Sequence, residues 1–550
     1  MKHTTILTTI LFFLGTMGTT LLQAQTVDLN GTSYPSVDSA LGMANEGDTV
    51  FITGVHTENI AIEKGVTLMG TNPEEDIIQA AEEPLTATTR VVYIDGSKFP
   101  DGEFGASSAV TLENLGIRHG NAGTADAIEA GGGIMVDKIA GQVTLRNLVI
   151  SDNQATKTGG GVSAAGSNVL IEHTVITNNA VVAGPGNGGG LQAVPNNGTG
   201  TDVTVNIRNS VISNNSCIKN GGGFYADGNN NWGNDFYLTL NVENTQIVFN
   251  TANSESGGAF VKSANHSGNG DKNVTLNLKH ITMAYNEAPN GNKYGLSFYN
   301  GPNVNIYNSL ITLNGTKEQN DVNLGASNTT DVINCIFGNT YGMQDNAGNI
   351  VDVKTGKFDA VKLDSLFTDK SGLPVLVVKG GGIGIDSAHA DYATNADIRG
   401  YSRSEDGGPD IGAYEFMLPD EIVLSAGADS IGTGEELDLS ISYTPVEADP
   451  LYLTWEVSPE GAEVNGGIFT AYEEGEYTIR ALANKPVAMA SNELTIKAGG
   501  ESTEPTAFSA PGTLKVRMFP NPANGMVKVQ GIKNITSINI LSLSGQLQKT

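Results

Sequence analysis

The 550-residue sequence is poor in cysteine, tryptophan and positive charge, with two cysteines, two tryptophans and 30 basic residues. The basic residues are outnumbered by 59 acidic ones, which gives a formal net charge of −29. Such an acidic surface repels polyanions, so we expect no nucleic-acid partner. Past the N-terminus no apolar run is long enough to cross a bilayer, so no transmembrane segment is predicted. Charged residues make up only 16% of the chain while glycine reaches 69 residues, which favours a β-rich protein with many tight turns.

The N-terminus has the pattern of an export signal. Lys2 and His3 precede the apolar run 6–14, and Ala24 in the sequence LLQAQ offers a small residue for cleavage. The apolar run is itself too short to span a bilayer. We therefore predict a signal peptide over residues 1–24 and a secreted mature protein.

A repeat runs through the first four hundred residues. Its template is a set of alternating apolar residues, a corner Asn or His, a second apolar run and a final Asn. Seven copies occupy residues 111–122, 144–155, 170–180, 205–216, 240–252, 276–288 and 304–316. From the second copy onward the final Asn falls at 153, 179, 215, 250, 286 and 314, so the steps are 26, 36, 35, 36 and 28 residues. Period-2 alternation at this spacing predicts a solenoid of short strands, stacked parallel about 4.8 Å apart.

A glycine-rich strand follows most copies of the repeat, as in GGGIMV (131–136) and GGGFYA (221–226). Because the triple glycine recurs on successive coils, it predicts a strand entry and not a phosphate-binding loop.

This pattern resembles the right-handed parallel β-helix of the pectate-lyase-like superfamily. Residues 247–260 (IVFNTANSESGGAF) are similar to the paired F-x-x-N and G-G-A-I signatures of polymorphic outer-membrane-protein repeats. Residues 33–52 resemble the capping helix and first strand of the superfamily, and residues 397–416 resemble the end module of bacterial surface β-helices. The resemblance implies an all-β fold with a capped β-helix over residues 25–416.

Stacked coils turn repeat positions into columns. The first column is predicted to form a ladder of amide hydrogen bonds at a left-handed corner; it contains Asn153, Asn179, Asn215, Asn250, Asn286 and Asn314. A second corner column includes two histidines three coils apart, too far to share a metal, so we expect corner hydrogen bonding there. Its members are Asn114, Asn147, His173, Asn209, Asn244, His280 and Asn308.

A third column faces outward and alternates in charge, through Glu113, Arg146, Glu172, Arg208, Glu243 and Lys279 to Tyr307. Parallel in-register strands place opposite charges side by side, which favours a structural role in fixing the register. The same alternation makes a poor groove for a uniformly anionic polymer. The alternative is catalytic: in a polysaccharide lyase, Arg146 or Arg208 would abstract a proton with Glu172 or Glu243 beside it.

Three long inserts leave consecutive coils at the same corner, over residues 194–202, 226–237 and 262–273. We expect them to form one exposed surface. Aromatic rings flanked by Asn and Asp bind sugars by stacking and hydrogen bonding, so the candidate ligand-binding residues are Asp227, Trp232, Asp235, Tyr237 and His266. Asp227 and Asp235 are alternatively oxygen ligands for Ca²⁺. A polar loop with no ligand is the third interpretation.

The two cysteines, Cys217 and Cys335, belong to coils four steps apart. Four steps of the solenoid are about 19 Å. That separation exceeds the roughly 7 Å between Cα atoms that a disulfide spans. We expect two unpaired thiols.

The C-terminal third has a different pattern. Alternating strands and a core Trp455 predict a small β-sandwich over residues 417–498, within which residues 467–481 resemble bacterial Ig-like repeats. Residues 499–512 have the composition of a linker. Residues 513–550 are similar to the type A C-terminal sorting domain of type IX secretion, through the segment FPNP (519–522) and the strand ILSLSGQ (540–546).

The sorting-domain resemblance implies the type IX secretion machinery as a partner and an outer-membrane-associated or extracellular location. That family continues to a final strand with a Gly-x-Tyr and a basic end. Neither feature occurs before Thr550, so we expect this domain to be truncated.

No recognised catalytic motif is present: the sequence has no HExxH, nucleophile elbow or P-loop. The paired acids of a glycoside hydrolase cannot be singled out among so many carboxylates. We therefore expect a secreted or cell-surface protein without a cofactor that contacts glycans or other surfaces, as adhesins do. The alternatives are a polysaccharide lyase or glycoside hydrolase acting on the outer face of the helix, and a purely structural stalk.

Overall fold

The structure, a computed structural model, describes residues 25–499 and four short strands between residues 517 and 549. The gaps within residues 25–499 are 100–107, 124–127, 140, 185, 196–201, 229–235, 267–270, 292, 316–319, 325–326, 339, 342–347, 350–362, 364–366, 369–373, 379–381, 404–406, 446–447, 450, 452 and 484–487. The predicted signal peptide, the predicted linker beyond Gly499 and most of the predicted sorting domain lie outside the described residues. No helix in the described part of the chain is both long and apolar enough to span a membrane.

Residues 26–341 form a β-helix in which each coil contributes parallel strands to up to four sheets, here named A to D in the order in which the chain visits them. The first two strands of the chain join the end of sheet A in antiparallel orientation. Counting only the described residues, sheets A, B, C and D have twelve, ten, five and ten strands. In their order across sheet A, its strands are Thr32–Tyr34, Thr26–Leu29, Thr49–Thr53, Thr67–Met69, Val110–Glu113, Gln142–Arg146, Asn168–Glu172, Val203–Arg208, Leu238–Glu243, Val274–Lys279, Asn303–Tyr307 and Asn328–Ile333.

Sheet B has ten strands, which are Val55–Thr57, Ile77–Gln79, Gly116–Arg118, Val149–Ser151, Val175–Thr177, Val211–Ser213, Gln246–Val248, Thr282–Ala284, Leu310–Ile311 and Ile336–Phe337. Sheet C has five short strands, which are Asn121–Ala122, Gln154–Ala155, Ala180–Val181, Ser216–Cys217 and Thr251–Ala252. Sheet D has ten strands, which are Ile60–Ile62, Val92–Asp95, Ile134–Asp137, Val162–Ala165, Leu191–Val194, Phe224–Asp227, Ala259–Lys262, Lys293–Tyr299, Asn320–Asn323 and Thr340–Tyr341.

The predicted capping helix is confirmed. It spans Val37–Met43 and buries Val37, Ala40 and Leu41. Ser36 is the N-cap, and its side chain and that of Ser39 form a capping box. The Glu58 carboxylate, from the first coil, accepts hydrogen bonds from the first two backbone N–H groups of the helix, Val37 N at 2.9 Å and Asp38 N at 3.0 Å. These contacts close the apolar end of the solenoid.

The core lies inside the coils, because alternate residues of every strand point inward. Val, Ile and Leu fill it in stacked columns that run from the cap to the last coil. Cys217 belongs to a small buried column inside sheet C, beside Ala252 and Val181. Both cysteines are buried and unpaired, so the prediction of free thiols is confirmed. Burial raises the pKa of Cys217 to about 12, which keeps the thiol protonated and unreactive.

The first asparagine column forms the predicted hydrogen-bonded ladder. Each Nδ2 donates to the Oδ1 of the next asparagine along the axis, at 2.8–3.0 Å from Asn153 to Asn314. Each Nδ2 also donates to a backbone carbonyl of the preceding coil, such as Ile212 O for Asn250 at 2.9 Å. The ladder ends on Asp321, whose Oδ1 accepts from Asn314 at 2.9 Å.

The predicted left-handed backbone is wrong for that column. The positive φ lies one residue earlier, at Phe249 (58°), Tyr285 (57°) and Leu313 (60°) among others. Bulky side chains are strained in this region, so the buried amide of the following Asn imposes the turn. The members of the second column do have a left-handed backbone, for example Asn209 at 49°.

The triple glycines are scaffold, as predicted. Gly221, the first of its triplet, has φ of 72°, which a residue with a side chain rarely adopts. A Cβ on the second, Gly222, would lie 2.6 Å from the carbonyl oxygens of Gly257 and Thr251. Only glycine permits coils to approach this closely.

A segment after the last coil folds back along the outer side of sheet B. We call the described residues between 374 and 416 the strap; it includes the short 3₁₀ helix Ala390–Tyr392. Val375, Ile398 and Tyr414 of the strap pack with Val175 and Val211 of sheet B in one buried cluster.

Polar side chains at the corner between sheets A and B, and within sheet B, hold the strap. Asn308 donates to His389 O at 3.0 Å and accepts from His389 N at 2.8 Å. Gln246 makes the same two-way pairing with Leu376, at 2.7 and 2.6 Å. In addition, Asn244 Nδ2 donates to Ala396 O, and Asn334 Nδ2 donates to Ser387 O. Part of the second corner column therefore serves the strap as well as the neighbouring coils.

The C-terminal unit is a β-sandwich, as predicted. One sheet has the strands Glu421–Ala426, Glu436–Thr444, Ile468–Ala471 and Ala462–Asn465. The other has Ser430–Ile431, Leu494–Ala498, Gly475–Ala483, Leu453–Ser458 and Met489–Ala490. Phe469, Tyr477 and Ile479 are buried between them, and Trp455 packs against this core. Two further strand pairs are Arg517–Phe519 with Lys528–Gln530 and Ile540–Leu541 with Leu547–Lys549.

Candidate functional site

The alternating charge column lies at the end of the sheet A strands with the predicted register. Arg146 pairs with Glu113 on one side and Glu172 on the other, and Glu172 pairs in turn with Arg208. The ion pairs are Arg146–Glu113 at 3.6 Å, Arg146–Glu172 at 3.1 Å and Arg208–Glu172 at 2.7 Å. Glu243 and Lys279 continue the register. Among the described members of the column, the ion pairs within 4 Å join only the first four.

The electrostatics of this column favour the structural role. Burial raises the pKa of Glu172, but hydrogen bonds from Arg208 and Arg146 outweigh it and hold the pKa below its ordinary value of 4.5. Glu172 is therefore ionised at neutral pH and sits against both arginines. Both Arg146 and Arg208 are engaged by Glu172, so neither guanidinium is free to contact a substrate proton.

Replacing Glu172 with glutamine is expected to lower the free energy of unfolding by about 1 kcal/mol at pH 7. The pKa of Glu172 is lower in the folded than in the unfolded chain, so its contribution is present above pH 4.5 and is lost as the pH falls through the folded pKa. Urea titrations at several pH values measure the difference between wild type and E172Q. Glu243→Gln is the matched control, since Glu243 has no ion pair within 4 Å among the described residues. A difference between wild type and E172Q that persists unchanged at pH 3 contradicts the assignment.

The corner histidine His280 is a buried hydrogen-bonding residue. Its Nδ1 donates to Gly412 O of the strap at 3.2 Å, and its Nε2 accepts from Asn308 at 3.1 Å. Burial lowers the pKa of His280 well below 6.5, which agrees with a neutral ring. Among the described residues, no group of three His, Cys, Asp or Glu side chains is arranged to hold a metal.

The three inserts leave neighbouring strands of sheet D and enter neighbouring strands of sheet A, so their ends stack at one corner. Asn273 organises this corner and is fully buried. Its Oδ1 accepts from Ala264 N at 2.9 Å, and its Nδ2 donates to Gly228 O at 2.7 Å and Phe236 O at 3.3 Å. One side chain thus joins the second insert to the third.

Two of the predicted ligand-binding residues come together here. The rings of Tyr237 and His266 are stacked, with centroids 4.6 Å apart and planes 11° apart. Asp202, at the end of the first insert, accepts from Tyr237 N at 2.9 Å. Lys272 donates to Asn265 Oδ1 at 2.8 Å beside this pair. We call this group, with the 59% exposed Tyr299 on the next strand of sheet D, the insert surface.

Asp227 lies on the outer side of sheet D in an ion pair. Its Oδ2 accepts from Lys262 Nζ at 2.9 Å and from the Tyr225 hydroxyl at 2.8 Å. This arrangement explains the position of Asp227 without a metal. Trp232 and Asp235, the other predicted residues, lie outside the described part of the chain, so a calcium site at Asp227 and Asp235 stays a prediction.

A second asparagine ladder was missed by the sequence reasoning. On the outer face of sheet A, Asn241 donates to Asn206 at 2.9 Å, Asn277 to Asn241 at 2.8 Å and Asn305 to Asn277 at 2.8 Å. The signal is present in the sequence as a T-x-N motif in TVNIR, TLNVE and TLNLK. Its threonines, Thr204, Thr239 and Thr275, form the adjoining column.

No protein-family model and no curated protein matches this chain. Among solved structures, a mutant of the PL6-family alginate lyase AlyGC is similar at 12% sequence identity and a TM-score of 0.20. The match covers 72% of this chain and 60% of that lyase, so this chain spans less than two thirds of its length. A similarity this low carries no inference about activity, and the fold rests on the strand pairing described above.

Proposed function

We propose that this is a secreted or cell-surface β-helix protein that binds glycans through the insert surface. The observation that carries the proposal is the stacked pair Tyr237 and His266 among amide, carboxylate and ammonium groups. Aromatic faces bind the apolar faces of sugar rings, and neighbouring polar groups bind their hydroxyls. Three inserts from consecutive coils converge on this corner.

A binding role without catalysis is favoured by the state of the charged groups. The four charges of the column are neutralised in pairs, and Asp227 is held by Lys262 and Tyr225. A lyase needs a free base beside groups that neutralise a substrate carboxylate. The insert surface itself contains one imidazole, His266, and one ammonium, Lys272, and incubation with uronate polymers tests whether they act as such a cluster.

The proposed secreted or cell-surface location rests on the sequence resemblances. Residues 1–24 serve as a signal peptide, residues 417–498 as an Ig-like spacer, and residues 513–550 as a type IX sorting domain that leads to release or surface attachment. The sandwich topology of the C-terminal unit supports the second of these assignments. Recovery of the protein from the cytoplasm of its native host would contradict this location.

Replacing Tyr237 with alanine is expected to weaken glycan binding about fivefold, because a stacked aromatic contact contributes about 1 kcal/mol. The measurement is a glycan array followed by calorimetric titration of the best ligand. Tyr472→Ala is the control, since Tyr472 is an exposed tyrosine on the sandwich and is not part of the insert surface.

Three outcomes of this experiment decide between the functions. Equal binding by wild type and Y237A contradicts the insert surface as the site. Absence of any glycan binding by wild type contradicts the proposed function. Incubation with uronate polymers checks the alternative: ultraviolet absorbance from an unsaturated product would show a lyase and overturn a purely binding role.

A further inference from the structure

The outer face of sheet A carries a regular polar lattice beside the insert surface. Its central column is the outward ladder Asn206, Asn241, Asn277 and Asn305, and its second column is Thr204, Thr239, Thr275 and Asn303. All eight side chains are partly exposed. Neighbours within a column are one rung, about 4.8 Å, apart, so the central column is about 14 Å long. We call these eight residues the polar lattice.

The ladder leaves hydrogen-bonding capacity on its outer side. A side-chain amide has two N–H donors and an oxygen with two lone pairs. A middle member such as Asn241 uses one donor toward Asn206 and one lone pair from Asn277. Its second N–H donor is not used within the ladder, and the ladder fixes the orientation of that donor. Such preorganised groups bind with little loss of conformational entropy.

The charges around the lattice select against anionic ligands. The column beside it alternates through Arg208, Glu243 and Lys279, so it presents no continuous positive stripe. The whole chain carries a net charge of −29, which repels a polyanion at long range. Amides and hydroxyls in a neutral field are complementary to the hydroxyls of an uncharged sugar.

The lattice also continues into the insert surface along the same strands. Val203 N donates to Tyr237 O at 2.9 Å, so Tyr237 directly adjoins the strand that carries Thr204 and Asn206. An extended pyranose chain advances, per ring, by a distance close to one rung. A few consecutive sugar rings can therefore contact consecutive asparagines. Over longer stretches the small difference between the ring spacing and the strand spacing accumulates, and this match is lost.

We propose that the polar lattice binds an uncharged, extended polysaccharide whose chain runs parallel to the helix axis. This inference rests on the proposed glycan-binding function and names its ligand class and orientation. The asparagine ladder supplies hydrogen bonds along the chain, and Tyr237 with His266 supplies stacking at its border.

The test is calorimetric titration of the full-length protein with cello-oligosaccharides of increasing length and with oligogalacturonates of the same lengths. Affinity for the neutral series is expected to rise with each added ring up to about four rings, the number of asparagines in the ladder. Asn241→Asp, which removes donors and adds a charge, is expected to weaken binding of the longest neutral oligosaccharide about tenfold. Thr144→Asp places the same charge on the outer face of sheet A, two rungs before the lattice, and is expected to bind normally.

Each other outcome has a distinct meaning. Tighter binding of oligogalacturonates, or affinity that saturates with a single ring, overturns the inference while leaving glycan binding intact. The same holds if Y237A loses binding and N241D retains it, provided both keep the wild-type melting temperature. If wild type binds neither series and no glycan on the array, the proposed function fails and this inference with it.

Discussion

Replacing Asn250 with alanine is expected to lower the free energy of unfolding by about 4 kcal/mol. Asn250 is fully buried and joins three coils. Its amide accepts from Asn215 Nδ2 at 3.0 Å and Asn215 N at 2.9 Å, and donates to Asn286 Oδ1 at 3.0 Å and Ile212 O at 2.9 Å. Alanine leaves these groups buried without partners, and each such group costs about 1–3 kcal/mol, with partial relaxation.

Chemical denaturation of the full chain measures this loss, and Asn241→Ala provides a matched comparison. Asn241 belongs to the same kind of ladder on an adjoining sheet, but its amide faces solvent and its former partners can bond water. The expected loss for N241A is therefore below about 1 kcal/mol. Equal losses for the two variants would contradict burial as the source of the ladder's stabilising effect.

The pairing of the β-helix strands could be predicted because the repeat fixes which residues become neighbours. Aligning the asparagines at 153 and 179 also aligns Arg146 with Glu172, as the structure has them. Inward and outward positions then follow from period-2 alternation. The same alignment brings the three T-x-N motifs into one column. The outward asparagine ladder could therefore also have been predicted from the sequence.

Other features could not be predicted, because they depend on contacts between distant segments. Nothing local in the sequence places residues 374–416 against sheet B, where Gln246 meets Leu376 across 130 residues. The left-handed turn at Phe249 contradicts the preference of its own side chain and follows from the buried Asn250 beside it. The sequence pattern did predict Tyr237 and His266 on one surface. Their stacking also involves contacts between inserts, where Asn273 forms hydrogen bonds that join the second insert to the third.

Replacing Arg403 with methionine is expected to detach the strap from the β-helix and to lower the free energy of unfolding by about 3–5 kcal/mol. The Arg403 side chain is only 1% exposed. Its Nη1 donates to Glu415 Oε2 at 2.8 Å, its Nη2 to Asn244 Oδ1 at 3.2 Å and Gly412 O at 3.0 Å, and its Nε to Thr394 Oγ1 at 3.0 Å. One guanidinium therefore ties three points of the strap to the solenoid corner.

Methionine fills much of the same volume but cannot replace these bonds, and it leaves the Glu415 carboxylate, 3% exposed, without its charge partner. The strap covers Val175 and Val211, so its release exposes apolar surface of sheet B. We expect limited proteolysis to cut R403M within residues 374–416 while the coils up to residue 341 stay resistant. We also expect an apolar dye to bind the variant and not the wild type.

Two further variants separate the lost ion pair from the lost packing. Arg403→Met combined with Glu415→Gln removes the unpaired charge as well, so it is expected to recover part of the stability while the strap stays sensitive to protease. Arg146→Met, which breaks ion pairs of a 42% exposed arginine, is expected to cost about 1 kcal/mol and to leave the strap protected. If R403M is as resistant to protease as wild type, the apolar cluster around Val175 and Tyr414 holds the strap without the guanidinium, and Arg403 is not its anchor.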